Sequence, residues 1–100
     1  MRRPADLGLS LTTLKIGNYN AAIGQLVQGD PTGGAFNVNL PAAIAGSGPI
    51  TIVNQSDSPN AITVVPNGFD TIKGVGSQIL LQARDSIQLF SDGVSDWMAA

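Results

Sequence analysis

Asp70 and Thr71 lie inside "NGFDTIKG", residues 67–74, a segment with a glycine near each end. A carboxylate beside a hydroxyl in such a turn suits two jobs, acid–base chemistry or pinning the path of the chain. Acid–base catalysis at neutral pH draws mostly on His, Glu, Lys, Tyr or Cys at tuned pKa values. This chain contains no histidine, cysteine or glutamate; it offers seven aspartates, Lys15, Lys73 and Tyr19. Two aspartates could share a proton, but the loop of an aspartic-protease half-site would read Asp-Thr-Gly or Asp-Ser-Gly. Here Asp70 precedes Thr71-Ile72 and Asp85 precedes Ser86-Ile87.

Other chemistries find as little. A Ser–His pair is excluded by composition, and a Ser–Lys pair has only Lys73 and Ser77 close in sequence, in a glycine loop without further polar machinery. A phosphate-binding Walker loop needs its lysine after the glycines, whereas "KGVGS" has it before them. The loop "SDGVSD", residues 91–96, carries Asp92 and Asp96 but lacks the alternating acids and closing glutamate of a calcium-binding EF-hand. No catalytic residue, metal or cofactor is therefore expected.

The turn reading is the stronger one. Asn67-Gly68 supplies two residues tolerant of positive φ, and an aspartate side chain readily accepts amides two residues on. Asp70 is expected to staple its turn to a strand beginning at Thr71, with Asp92-Gly93 doing the same at the last hairpin. The sole tryptophan, Trp97, follows that hairpin and is expected as a core lid or an interface anchor.

The elements that must position these turns have a period of two. In "AFNVNL" Phe36, Val38 and Leu40 point one way and Asn37 and Asn39 the other. The same alternation appears at Ile50/Ile52, Ile62/Val64 and Ile87/Leu89, and at Ile79/Leu81, where Leu80 would cover a second apolar surface. "AIGQLVQ" offers a further short strand around Leu26 and Val27. "PAAIAG", residues 41–46, suits a single helical turn with Pro41 at its first position and Gly46 ending it. Breakers fall between the runs at about ten-residue intervals, which predicts an all-β sandwich or small barrel.

The first third departs from this regularity. Leu7, Leu9 and Leu11 alternate, then the apolar phase shifts to Leu14 and Ile16, so a break is expected near Thr12-Thr13. Residues 1–6 read as a free arm. "VVPNGFDTIKG" and "LFSDGVSDWM" share a plan of strand, glycine turn and strand, for which two turns of one chemical type suffice without duplication.

One hundred residues bound the answer to one domain, with a core that oligomerisation would help. Arg2, Arg3 and Lys15 outweigh Asp6 over residues 1–15, a net of +2, while the remainder carries a net of −4. A weakly acidic body with a basic arm suits a protein surface; nucleic acid selects a denser basic stripe. No apolar run reaches signal-peptide or membrane-span length, so a soluble intracellular product is expected. The sequon Asn54-Gln55-Ser56 is then a chance occurrence.

Taken together, "YNAAIGQLVQGDPTGGAFNVNLPAA", "PITIVNQ", "AITVVPNGFDTIKG" and "SIQLFSDGVSDW" resemble a β-rich module of tailed-bacteriophage virion proteins, found in head and tail fibres and in small capsid-associated proteins. Shared landmarks are the strand ending in Leu40-Pro41-Ala42-Ala43, the turn Pro66-x-Gly68-x-Asp70-x-Ile72-x-Gly74, and the Ser91-Asp92-Gly93 hairpin closed by Trp97. Val94-Ser95-Asp96 lengthens the loop that this family keeps shorter before its tryptophan. The fold expected is a single-domain, antiparallel, jelly-roll-like β-sandwich over residues 19–100 behind an extended N-terminal arm, residues 1–18. A short free-standing chain of this kind looks like a capsid decoration, or cement, protein. The resemblance implies a homotrimer on the outer capsid surface of the virion, with the major capsid protein as partner and neither nucleic acid nor membrane. Arg2, Arg3, Leu7, Leu9, Leu11 and Lys15 would form the interface, and Asn67, Gly68, Asp70, Asp92 and Gly93 the stabilised turns. The alternative is a head-fibre or tail-fibre module that attaches to the host surface, with Tyr19 and Phe69 as the aromatics in loops.

Overall fold

Alternating apolar residues are short-range signals, and among the described residues the structure has ten short strands. The computed structural model describes residues 10–46, 48–74 and 78–99. The strands are β1 Ser10–Leu11, β2 Tyr19–Asn20, β3 Gln25–Gly29, β4 Phe36–Asn39, β5 Ile50–Asn54, β6 Ile62–Val65, β7 Thr71–Ile72, β8 Ile79–Leu81, β9 Ser86–Ser91 and β10 Asp96–Ala99. Two 3-10 turns, Pro31–Gly33 and Ala43–Ala45, join them, the second within the helical turn expected at residues 41–46.

A six-stranded sheet has the order β1-β3-β5-β9-β10-β7, and a four-stranded sheet the order β2-β4-β6-β8. Up to β6 the chain alternates between the sheets, each strand lying parallel to the one two elements earlier. Leu26 sits beside Thr51, 25 residues on, and that interval contains β4 of the other sheet. Each crossover between these parallel strands is thus a visit to the other sheet, which supplies the dozen or more residues that a parallel connection needs.

The expected antiparallel arrangement is therefore only partly found. Five of the eight pairings are parallel, and only β5–β9, β9–β10 and β6–β8 are antiparallel. Period-two alternation is the same in both kinds of ladder, and breakers at ten-residue spacing serve a turn to the other sheet as well as a hairpin.

Inward residues of both sheets form one core. Val27, Ile50, Ile52, Ile72, Leu89 and Trp97 come from the larger sheet; Phe36, Val38, Ile62, Val64 and Leu81 come from the smaller. Each buried aliphatic or aromatic side chain contributes roughly 1.5–3 kcal/mol relative to exposure. Leu80, expected to cover a second apolar surface, is exposed. Close packing also explains Gly29 at the end of β3: a Cβ there would meet Ile62 Cδ1 at 2.6 Å and Phe36 Cζ at 3.0 Å.

Parallel stacking brings like side chains together on one face. Asn39 Nδ2 donates to Asn20 Oδ1 at 2.9 Å, and Asn37 donates its amide to Asn18 Oδ1 at 2.8 Å. On the other sheet Gln55 Nε2 donates to Gln28 Oε1 at 2.9 Å, and Gln28 Nε2 donates to the Thr12 carbonyl at 2.7 Å. Such ladders hold neighbouring strands in register without apolar burial.

The segment expected as an arm divides. Residues 1–9, with Arg2, Arg3, Leu7 and Leu9, lie outside the described residues. Residues 10–18 run along the edge of the body: Ser10 and Leu11 pair with Gln25 and Leu26, and Lys15 bridges to Gly29. β1 ends at Leu11, where the apolar phase shifts; beyond it the Thr12 hydroxyl donates to the Thr13 carbonyl at 2.8 Å.

Candidate functional site

The loops at the β7 edge contain the groups that sequence reasoning singled out. Asn67, Gly68, Phe69 and Asp70 form a tight turn in which the Asp70 amide donates to the Asn67 carbonyl at 2.8 Å. Gly68 alone takes a positive φ, 53°, which glycine adopts without a Cβ penalty. The residue after it, Phe69, is thrust outward and fully exposed.

The Asp70 carboxylate does not staple its own turn as expected. Its Oδ2 accepts the amide of Ala43, 27 residues earlier, at 2.8 Å. Ala43 opens a 3-10 turn whose N-cap, Ala42, has no side chain able to accept that amide, so a distant carboxylate takes the role. The Ala43 carbonyl is held in turn by Ser91, whose Oγ donates to it at 2.5 Å and accepts the Gly93 amide at 2.9 Å. Ser91 is buried, and both its bonds are to backbone.

Asp92 behaves as expected. Its Oδ1 accepts the amides of Val94, Ser95 and Asp96 at 2.8, 3.0 and 3.1 Å. Those amides favour the ionised form and hold the Asp92 carboxyl below its ordinary value. Gly93 takes φ 82° in the same loop. Asp96, weighed in the sequence only as a calcium ligand, has a role that sequence reasoning missed. Its Oδ1 accepts the Thr71 hydroxyl at 2.5 Å and the Gly74 amide at 2.8 Å, tying β10 to β7. A signal for it existed: "VVPNGFDTIKG" and "LFSDGVSDWM" share a plan, and Thr71 pairs in parallel register with Asp96 and Ile72 with Trp97.

Every aspartate among the described residues is engaged in this way. Asp30 Oδ1 accepts both the amide and the hydroxyl of Thr32, Asp85 Oδ2 accepts the Gln82 amide at 2.9 Å, and Asp57 pairs with Arg84 at 2.8 Å. The Thr32 hydroxyl, and next its amide, lower the Asp30 pKa; hydrogen bonding from Arg84, then its charge, lowers that of Asp57. The described residues contain no group of three or more side chains arranged to hold a metal ion. All of these carboxylates except that of Asp57 accept backbone amides.

Asn54, read as part of a chance sequon, is fully buried. Its Nδ2 donates to the Leu81 carbonyl at 3.0 Å, and its Oδ1 accepts the Ser56 amide at 3.0 Å and hydroxyl at 2.8 Å. It links the end of β5 in one sheet to β8 in the other. Trp97 is buried in the core, and its Nε1 has no acceptor among the described residues. Of its two expected roles, this position is that of the core lid.

The second candidate region is the β1 edge, on the opposite side of the larger sheet. Leu11, Leu14 and Ile16 are exposed there, Ile16 to 77%. Lys15 Nζ lies 4.3 Å from the centroid of the Tyr19 ring and donates to Thr13 Oγ1 at 3.1 Å. Tyr19, expected in a loop, is half-buried in β2 and donates its hydroxyl to Gln25 Oε1 at 3.0 Å. No helix among the described residues is long and apolar enough to cross a membrane. No family model and no curated protein matches the chain.

Proposed function

We propose that this protein is a structural component of a tailed-phage virion, a capsid decoration protein that binds the outer surface of the head and clamps neighbouring major capsid subunits as a homotrimer. The observation that carries the reading is the exposed apolar edge of Leu11, Leu14 and Ile16 beside Lys15, on a body whose described aspartates are all engaged in its own hydrogen bonds or, for Asp57, in an ion pair. Such an edge is a contact surface of the kind that a clamping oligomer requires between its copies, and it continues into a sequence carrying Arg2, Arg3, Leu7 and Leu9, which in this reading reaches the capsid. In this reading the two sheets are the layers of a β-sandwich that carries the clamp. A trimer engages several capsomers at once, so that effective concentration multiplies individually weak contacts.

Undecorated phage capsids mixed with the purified protein and sedimented test this reading. Co-sedimentation at a fixed ratio to capsid subunits is expected. It should be lost on deletion of residues 1–9. Failure of the intact chain to sediment with capsids would overturn the proposal. The fibre-module reading, in which the chain attaches to the host surface, draws on Phe69, a fully exposed aromatic at a turn tip. Localisation of the protein to tails or fibres by particle imaging would favour it.

A further inference from the structure

Exposed apolar side chains gather at both edges of the larger sheet. At the β7 edge the loops that carry Ile44, Phe69 and Val94 are laced together: Asp70 accepts from Ala43, Ser91 donates to Ala43 and accepts from Gly93, and the Thr71 amide donates to the Ser95 carbonyl at 2.8 Å. Ile44 is 74% exposed, Val94 is 67% exposed and Phe69 is fully exposed. Three apolar side chains held in water on a hydrogen-bonded frame form a preorganised contact surface, which loses little entropy on docking. The same loops hold the carboxylates of Asp70, Asp92 and Asp96, which accept hydrogen bonds from Ala43, Val94 and Gly74 among others, and one base, Lys73, follows β7.

The β1 edge is the complement. Its exposed apolar residues are Leu11, Leu14 and Ile16; Lys15 stands among them, beside Asp30, whose carboxylate is already taken by Thr32, and residues 1–9 of the sequence carry a further net of +1. The backbone fits as well. Ser10 and Thr12 donate their amides inward to Gly24 and Leu26, and Thr71 and Lys73 donate inward to Ser95 and Trp97. By alternation, the amide and carbonyl of Leu11 and of Ile72 face out of the sheet. The two edges also run in the same direction. β1, β3 and β5 are parallel, β9 opposes β5, β10 opposes β9, and β7 is parallel to β10.

We infer that the protein self-associates head to tail, with the basic apolar β1 edge of one copy docking on the acidic apolar β7 edge of the next. This contact is heterologous, because it joins two different surfaces, and it closes into a ring when the rotation between copies allows. The occupant of each edge is a second copy because charge, apolar content and strand direction are matched between the two edges of the same chain. The inference deepens the trimer in the reading above and rests on that part of it alone. Its test contains no capsid, so its failure and the failure of capsid binding are separate results.

Analytical ultracentrifugation of the full chain and two variants decides it. Phe69→Asp breaks the β7 surface, and Ile16→Asp breaks the β1 surface; circular dichroism and melting confirm that these exposed substitutions leave the fold intact. The wild-type chain is expected to associate, less strongly at high salt because the complementary charges are screened. Each variant alone is expected to be monomeric. An equal mixture of the two should form dimers and nothing larger, because one intact surface of each kind remains in the pair. A wild-type chain that stays monomeric at high concentration, variants that associate as wild type does, or a mixture that stays monomeric would overturn the inference. The last result would mark an isologous interface.

Discussion

Asn54→Ala is expected to be among the most damaging single substitutions in the chain, although it removes only a small polar side chain. It leaves the Leu81 carbonyl and the Ser56 amide without their side-chain partner at a site where Asn54 is fully buried and Leu81 and Ser56 nearly so. The Ser56 hydroxyl can rotate away, so two groups bear the loss. A buried polar group left unpaired costs about 1–3 kcal/mol, giving roughly 3 kcal/mol in all after partial relaxation. A domain of this size is stable by about 5–15 kcal/mol, and each kcal/mol moves the melting temperature by about 4–8 °C, so a fall of about 12–24 °C is expected. Urea unfolding followed by fluorescence of the sole, buried Trp97 measures it. Ser56→Ala should cost about 1 kcal/mol alone and less in the Asn54→Ala background, because its partner is already gone. Asn54→Asp keeps the acceptor for Ser56 but sets a buried carboxylate against the Leu81 carbonyl. Burial raises the pKa of the new group, so this variant should recover stability as the pH falls and the carboxyl becomes a donor. A loss below about 1 kcal/mol for Asn54→Ala would refute the claim that its bond to Leu81 ties the sheets together, and additivity with Ser56→Ala would refute the coupling of those two side chains.

Gly29→Ala should cost about 1–3 kcal/mol by chemical denaturation, because its methyl would press on buried Ile62 and Phe36, whereas Gly33→Ala, with nothing within 4 Å, should stay close to neutral. Asp92, Asp30 and Asp57 have folded pKa values below the ordinary 3.8. The stability they contribute is present above that value and is lost as the pH falls through their lower folded values; melting temperatures across this acid range should fall less steeply for Asp92→Asn than for wild type. Trp97→Phe should cost no more than about 2 kcal/mol, since the smaller ring leaves a cavity but the indole amine gives up no protein acceptor among the described residues, and urea unfolding by circular dichroism checks it. Thr71→Val removes the hydroxyl bonded to Asp96 and should speed hydrogen exchange at the β7–β10 contact more than in β5.

Strands were legible wherever one face alone is buried. Phe36 and Val38, Ile50 and Ile52, and Ile62 and Val64 point inward as their alternation requires, and the asparagines of β4 point away. Asp92 was also legible, because its partners lie within four residues. Asp70 was read as a turn residue, but its partner could not be found locally: Ala43 becomes its neighbour only through the fold. Asn54 was hidden for the same reason, its polar character in sequence saying nothing of a buried position between sheets. Strand direction was illegible because alternation carries no information about polarity, and so was the joining of residues 10–18 to the sheet edge, where exposed Leu11 and Ile16 have no buried stripe to announce them. The aspartates of the β7 loops could be named as a group, but their division between local amides and distant strands depends on a register 25 residues long.

The order of strands in the larger sheet sets a timetable for folding. β7 has a single neighbour, β10, and two strands that come later in the chain, β9 and β10, fill the place between β5 and β7. During synthesis, residues 71–72 therefore have no sheet partner until residues 86–99 have been made, and β5 presents a bare edge over the same interval. Pairings so distant in sequence are slow to form, and unpaired edges attract other chains while they wait. Nascent chains halted before residue 86 should consequently be the form most prone to clump, and the closing hairpin, rather than the parallel coil that precedes it, should limit the rate at which the native state appears.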